Sequence, residues 1–369
     1  MNVENIRLIN FRNYNNINLD FNKNINVFVG KNAQGKTNLL EAIYMCATGK
    51  SFRSNRDKEI INFHKKEAYI GANILLGKFD KFIEIKLDRE KTKIIRINKT
   101  ELKNYKELNT GLSVVLFSPD DLKLVKDGPS ERRNFLDIGI SQIKPVYNYN
   151  INRYNKILFQ RNNLLKSSKL KKELINLLDV FDVQIAKVGT SIIIERDNYI
   201  KELYKICKET HKQLTLNKED IILKYNTNIP ILENKVEMEN LYIKLLKENN
   251  YRDIEHGSTE IGPHRDDMLM YINENDVKVY GSQGQQRTIV LSLKLSEVEL
   301  IKKERGIYPV VLLDDVFSEL DEERRKYLTK SFSEMQTFIT VTDAVDIKSL
   351  DNFNKSIFYI ENGKLEKRG

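Results

Sequence analysis

Eight consecutive residues carry the strongest chemical signal in the chain: Gly30-Lys31-Asn32-Ala33-Gln34-Gly35-Lys36-Thr37. A glycine, four free positions and Gly-Lys-Thr give the spacing of a phosphate loop, whose backbone N–H groups point at phosphate oxygens. The whole loop, Gly30 to Thr37, is therefore predicted to cradle a nucleotide. Lys36 would reach the β and γ phosphates, Thr37 would hold Mg2+ through its hydroxyl, and Gly30 and Gly35 let the backbone come close. A second constellation, Leu312-Leu313-Asp314-Asp315, ends an apolar run in two carboxylates. In a phosphate-loop ATPase an acid so placed lies beside the Mg2+ and the attacking water. Asp314 is thus expected to hold the metal, and Asp315 to orient and deprotonate the water. Lys36, Asp314 and Asp315 are the catalytic candidates; Thr37 and Asp314 are the metal candidates. A third stretch, Ser282-Gln283-Gly284-Gln285, stands before a helical pattern and can offer a hydroxyl and N–H groups to an anion. Taken alone, a plain helix N-cap explains it better.

These residues need elements that position them. Asn26 to Val29 is a short apolar run suited to a buried strand, and Asn38 to Ile43 opens a helix whose N-terminal dipole faces the loop. Strands are predicted at Val3 to Ile9, Ile17 to Phe21, Ala68 to Leu76, Lys81 to Leu87, Lys93 to Ile97 and Ser113 to Phe117. Polar, basic Lys50 to Arg56 either reaches toward a phosphate or is a solvated loop. From Pro129 to about Asn250 the pattern is helical except at Ile221 to Tyr225. Apolar faces at Ile143 to Leu165, interrupted by Arg161, and at Phe181 to Ile206 suggest an antiparallel pair with its tip at Lys166 to Lys172, an arm of roughly 35 Å. A hairpin of Met268 to Tyr271 with Val277 to Tyr280 is expected to deliver Ser282, followed by an amphipathic helix from Thr288 to Lys303. The pair Asp266-Asp267 reads as a turn bridged to Arg265 rather than as a metal site. Ser318 to Asp321 reads as the cap of a further helix, Thr337 to Thr342 as a buried strand, and Ile357 to Ile360 with Asn362-Gly363 as a closing hairpin.

Composition narrows the function classes. The 369 residues carry a formal charge of +9 and 40% hydrophobic content, enough for a core of more than one domain and favourable to a polyanionic partner. Because the charges are interspersed, a solvated basic surface remains the plain alternative. Two distant cysteines, Cys46 and Cys207, fit buried thiols in a reducing compartment better than a disulfide scaffold. No apolar run approaches bilayer length, so a cytoplasmic protein without membrane partners is expected.

Taken in order, the phosphate loop, Ser-Gln-Gly-Gln-Gln, Leu-Leu-Asp-Asp and Ser-Glu-Leu-Asp resemble the ABC-type ATPases, and among them the SMC branch. Ser282 lies 245 residues beyond Thr37, more than in a compact transporter ATPase and far less than an SMC coiled coil requires. Further segments are similar to the RecF family of bacterial recombination mediators. They are Leu8 to Tyr14, Gly49 to Arg53, Phe117 to Leu122, Arg132 to Asp137 and Gly262 to Asp267. The resemblance implies an α/β fold: an ABC-type ATPase head, with a phosphate-loop α/β core and an antiparallel β subdomain, plus an inserted, mostly helical arm. The head would comprise residues 1–128 and 251–369, and the arm 129–250. It also implies ATP and Mg2+ as cofactors and an ATP-dependent homodimer in which the loop of one copy and the Ser282 signature of the other, Ser282 to Gln285, grip one nucleotide. The implied partners are DNA, whether single-stranded, duplex or gapped, and the mediators RecR and RecO, with a link to the SOS response. Where transporter ATPases follow the last strand with a histidine, this chain has Asp343, and no glutamine switch loop is evident; weak, slow, DNA-stimulated hydrolysis is the expectation. A transporter-type ATPase and the ATPase of an OLD-like nuclease system are the alternative readings.

Overall fold

Continuous apolar runs rather than alternating ones dictate the central sheet. In a computed structural model of the chain, which describes all residues except 104–107, 109, 168–170, 321, 332–333, 343–349, 351–352 and 369, the elements follow in this order. Strands β1 (Asn2–Phe11), β2 (Tyr14–Asp20) and β3 (Ile25–Val29) lead to helix α1 (Lys36–Thr48). Strands β4 (Glu67–Leu76), β5 (Phe79–Asp88), β6 (Ile94–Ile97), β7 (Thr100–Glu101) and β8 (Val114–Phe117) come next. Then follow α2 (Lys123–Lys126), α3 (Pro129–Ile143), α4 (Pro145–Leu165), α5 (Lys171–Leu214), β9 (Ile221–Asn226), α6 (Lys235–His256), β10 (Asp267–Ile272), β11 (Asn275–Asp276), α7 (Val277–Tyr280) and α8 (Gln283–Arg305). The chain continues through β12 (Val310–Asp314), α9 (Glu322–Ser331), β13 (Thr337–Val341), β14 (Lys355–Glu361) and β15 (Lys364–Arg368).

Two compact units result, residues 1–121 with 291–369, and residues 122–290. The division differs from boundaries at 129 and 251, because β9, β10 and β11 form a sheet of their own that keeps residues 251–290 with the helices. In the first unit one sheet runs β15-β14-β3-β13-β12-β8, all neighbours parallel except β15. Its strands β3, β8, β12 and β13 are buried at every position, as a parallel sheet covered on both faces requires. Phe28 and Phe338 stack at 6.2 Å between ring centres, and Phe21 meets Phe338 edge-on at 4.8 Å. The second sheet, β2-β1-β4-β5-β6-β7, is antiparallel and alternates Ile83, Ile85 and Leu87 inward with exposed or half-exposed neighbours.

The second unit departs from expectation in informative places. Residues 277–280 are not a strand: the turn at Asn273 and Glu274, both at positive φ, leaves β11 only two residues long. The Asp276 carboxylate then accepts from Lys278 N–H at 2.8 Å and caps a helical turn instead. Helix α5 begins ten residues earlier than its apolar face suggests, and α8 begins at Gln283 rather than Thr288. Arg161, which seemed to break the face of α4, is wholly buried. Its guanidinium donates to Asp182 (2.9 Å), Asp253 (2.6 Å), Thr259 (2.8 Å) and Asn250 (3.0 Å). Asp267 pairs with Arg132, not Arg265, through two bonds of 2.6 and 2.9 Å, while Arg265 pairs with Glu260 at 2.7 Å. The reason is geometric: Arg132 on α3 lies against β10 and can present its planar fork, which the neighbouring Arg265 cannot. The centre of the predicted arm tip, 168–170, lies outside the described residues, as do Asp321 and Asp343. Both cysteines are buried thiols.

Candidate nucleotide-binding site

Strand β3 runs directly into the phosphate loop, and the loop runs into α1. Two non-regular conformations make the turn: Ala33 at φ 64° and Gly35 at φ 114°. Glycine is required at position 35, since a Cβ there would lie 2.6 Å from the Asn13 amide and 2.9 Å from the Tyr14 hydroxyl. At Gly30 a Cβ would lie 2.5 Å from the Ile360 carbonyl oxygen. The loop is therefore shaped by its surroundings. Asn13 Nδ2 donates to Gln34 O at 2.7 Å, Tyr14 OH donates to Gly35 O at 2.9 Å, and Gly30 N–H donates to Val341 O at 3.2 Å. Gln34 Oε1 accepts from Asn362 N–H in the closing hairpin.

Lys36 is buried, and its ammonium donates to Gly30 O at 2.6 Å across the loop, 4.0 Å from Asp315 Oδ1. A cation folded back on the loop's own carbonyl is held where an anion entering the loop would meet it. Thr37 Oγ1 donates to Asp314 Oδ1 at 2.8 Å. The same oxygen accepts from Thr340 Oγ1 at 2.9 Å, and Thr340 in turn accepts from Asp315 N–H at 2.8 Å. Burial pushes the Asp314 carboxyl above the usual carboxylate range. The two hydroxyls oppose this, the charge of Asp315 adds to it, and Arg53 opposes it weakly. Asp315 adopts φ 52°, in the left-handed region that a non-glycine residue seldom occupies, and its side chain is 36% exposed. A hydroxyl and a carboxylate within one hydrogen bond of each other form an all-oxygen donor set that fits Mg2+.

The structure brings together Gly30 to Thr37, Asp314 and Asp315, the residues expected from the sequence to act on a nucleotide. Sequence reasoning missed Thr340, Asn13 and Tyr14. Thr340 is one of two threonines in β13, with Thr337; parallel pairing of β12 with β13 sets it opposite Asp314. Asn13 sits in the turn between β1 and β2 and Tyr14 opens β2, and neither shows chemistry on its own. Also missed was the carboxylate of Glu41 on α1, wholly buried and gripped by Arg12 at 2.6 and 2.9 Å and by Ser51, which fixes the segment after α1. Within that segment Arg53 Nη1 donates to Asn38 Oδ1 at 2.8 Å.

Ser282 to Gln285 belong to the second unit and open α8. Ser282 Oγ accepts from Gln285 N–H at 3.2 Å, while Gln285 Oε1 accepts from Ser282 N–H at 2.9 Å. This is a reciprocal capping box. Glu219 accepts from Gln285 Nε2 at 3.0 Å and so fixes which way the amide faces. The cap uses one lone pair of the serine oxygen and leaves its proton available to an outside acceptor.

The likenesses agree with this geometry. The family described as RecF/RecN/SMC N terminal domain matches residues 2–365. A DNA replication and repair protein RecF of Alkaliphilus oremlandii is 48% identical over 99% of this chain and all of its own, and one of Clostridium novyi is 46% identical over the full length of both. Among solved structures, one titled as the recombination mediator protein RecF with ATP in the RecFOR pathway has a TM-score of 0.92 at 36% identity, covering 100% of this chain and 99% of that one. An SMC head solved with the C-terminal winged-helix domain of ScpA, at TM-score 0.57 and 16% identity over 100% and 97% of the two chains, shares the fold. A phosphate loop set in a parallel sheet beside paired carboxylates, with matches of this extent, places the chain in the RecF family of SMC-like ABC-type ATPases.

Proposed function

We propose that the chain is a DNA-binding ATPase of recombinational repair, in which two copies close over shared ATP and Mg2+, hold DNA at single-stranded gaps or junctions, and let go after slow hydrolysis. The observation that carries this reading is the hydroxyl–carboxylate chain Thr37–Asp314–Thr340–Asp315 set beside a buried Lys36. Mg2+ would neutralise phosphate charge and polarise the bond to be broken. The chain's own residues do the rest. The loop N–H groups bind and orient the phosphates, and Lys36 exchanges its contact with Gly30 O for a phosphate oxygen. Thr37 and Asp314 would hold the cation, and Thr340 keeps Asp314 aimed. Asp315, half-buried and held on a strained backbone, takes the proton of the attacking water. Ser282 to Gln285 complete the site of the opposite copy, which makes hydrolysis conditional on closure. The names and titles of the relatives support a role in DNA replication and repair within the RecFOR pathway; loading recombinase together with RecR and RecO, in the cytoplasm, is the proposed setting. No helix among the described residues is long and apolar enough to cross a membrane.

Lys36→Ala tests the reading. Nucleotide binding and ATP-driven association are both expected to vanish, with the fold retained. Light scattering that still reported dimers of this variant on ATP addition would overturn the assignment.

A further inference from the structure

Phe63 is 86% exposed, the most exposed large apolar side chain among the described residues. Such a ring in a loose loop would mean little. Here the backbone beneath it is fixed. Asn62 N–H donates to Asn10 O at 2.8 Å, and Lys65 N–H donates to Asn62 O at 2.9 Å. The Arg89 guanidinium donates to Lys65 O at 2.8 Å and reaches the carbonyls of Ile61, Asn62 and Phe63 at 3.3 to 3.4 Å. Ile60 and Ile61 are buried below. Arg12 closes the base of the loop by donating to Glu59 O at 2.7 Å, and the same guanidinium holds Glu41 of the phosphate-loop helix. Arg89 and Arg12 thus use their donors to present an aromatic face to solvent on a rigid support.

Two lysines follow Phe63 in the chain, with Glu67 next and Asp88 within electrostatic reach of Lys66. Lys65 and Lys66 are exposed, as is His64, whose ring stands edge-to-face with Phe63 at 5.2 Å and 88°. An open aromatic ring beside ammonium groups fits a flat, apolar surface flanked by negative charge. A strand of DNA with unpaired bases has that surface; a duplex covers its base faces by stacking and offers only its ends. An apolar protein partner would leave the two ammonium groups unmatched.

We propose that Phe63 is a stacking platform for an unpaired nucleobase of single-stranded DNA, with Lys65 and Lys66 on the flanking phosphates. The proposal rests on the DNA-binding reading above and adds to it the element that tells a gap from continuous duplex. The chain contains no tryptophan, so Phe63→Trp places a single fluorescent reporter at the site in the full-length protein. Emission is recorded on adding a thymidine oligonucleotide or a blunt duplex, while anisotropy of the labelled DNA follows binding independently. Single strand is expected to quench the reporter, and blunt duplex at equal nucleotide concentration to do so far less, since only its two ends present a base face. Phe63→Ala should weaken single-strand binding roughly tenfold, with duplex affinity retained. Binding seen by anisotropy with constant Trp emission, or an unaltered single-strand affinity of Phe63→Ala, would overturn the proposal. So would an emission change that follows protein concentration rather than DNA, because it assigns the ring to a protein contact. If anisotropy shows no DNA binding at all, the DNA-binding reading itself fails, and the platform with it.

Discussion

Both compact units bury charge, and the comparison separates binding chemistry from scaffolding. In the first unit, Lys36 and Asp314 are buried but their partners are exchangeable: a backbone carbonyl for the ammonium, and a hydroxyl that can turn from the carboxylate to a cation. In the second unit, the Arg161 guanidinium is held by four side chains. Arg196 is held likewise by Asp137 (2.8 Å), Tyr147 (2.9 Å) and the Pro263 carbonyl (2.6 Å). Burial of charge therefore does not by itself mark a site. What marks it is a charge whose present partner an incoming group can replace.

The largest effect that could break this contrast is Arg161→Ala. Removing the cation strands Asp182 and Asp253 in a dry interior, and a loss of about 3–5 kcal/mol in unfolding free energy is expected. Guanidinium unfolding followed by circular dichroism would show it. If the variant is as stable as the parent, the second unit is not held by its ion networks.

A smaller effect lies in pH. His264 Nε2–H donates to Thr259 O at 2.8 Å, so Nδ1 accepts from Tyr154 OH at 2.7 Å and the ring is neutral. Burial chiefly, with Arg265 and Arg133 nearby, lowers its pKa from 6.5 to about 4. The unfolded chain takes up this proton near pH 6.5 and the folded chain only near pH 4. The contribution of neutral His264 is thus complete above pH 6.5 and lost as the pH falls toward 4, about 3 kcal/mol in all. Urea midpoints at pH 7 and pH 5, compared for the parent and His264→Asn, should show a shallower acid slope in the variant.

The smallest change sharpens the contrast from the other side. Ser282→Ala removes a helix cap and should cost about 1 kcal/mol of stability. Nucleotide affinity of a single copy should stay the same while ATP-driven association weakens, measured by titration calorimetry and sedimentation. Equal association by parent and variant would reduce Ser282 to a cap and nothing more.

Legibility in the sequence followed the same division. The phosphate loop and Asp314-Asp315 were readable because their chemistry needs adjacent residues in fixed order, and β3, β8, β12 and β13 because fully buried strands leave mostly apolar runs, with Asn26, Thr337 and Thr340 the interruptions in β3 and β13. Thr340, Asn13 and Tyr14 were not readable, since their roles depend on sheet register and on a turn meeting a loop that follows it. Asn273-Glu274 hid the helical turn at Val277 because an apolar alternation of four residues fits a strand equally well. Arg161 looked like an interruption because periodicity records polarity but not pairing. The full-length resemblance supplied what residue-level reading could not, namely the expectation that Ser282 serves a second copy.

The place of β3 in its sheet has a consequence for how the molecule is made. Its two neighbours, β13 and β14, are translated more than three hundred residues after it. Until then both edges of the strand lack their partners, and the Gln34 amide lacks Asn362. Nucleotide binding is therefore a late event in biosynthesis. Contacts so distant in sequence slow the search for the native arrangement, and the early apolar strand needs shielding while the chain is unfinished.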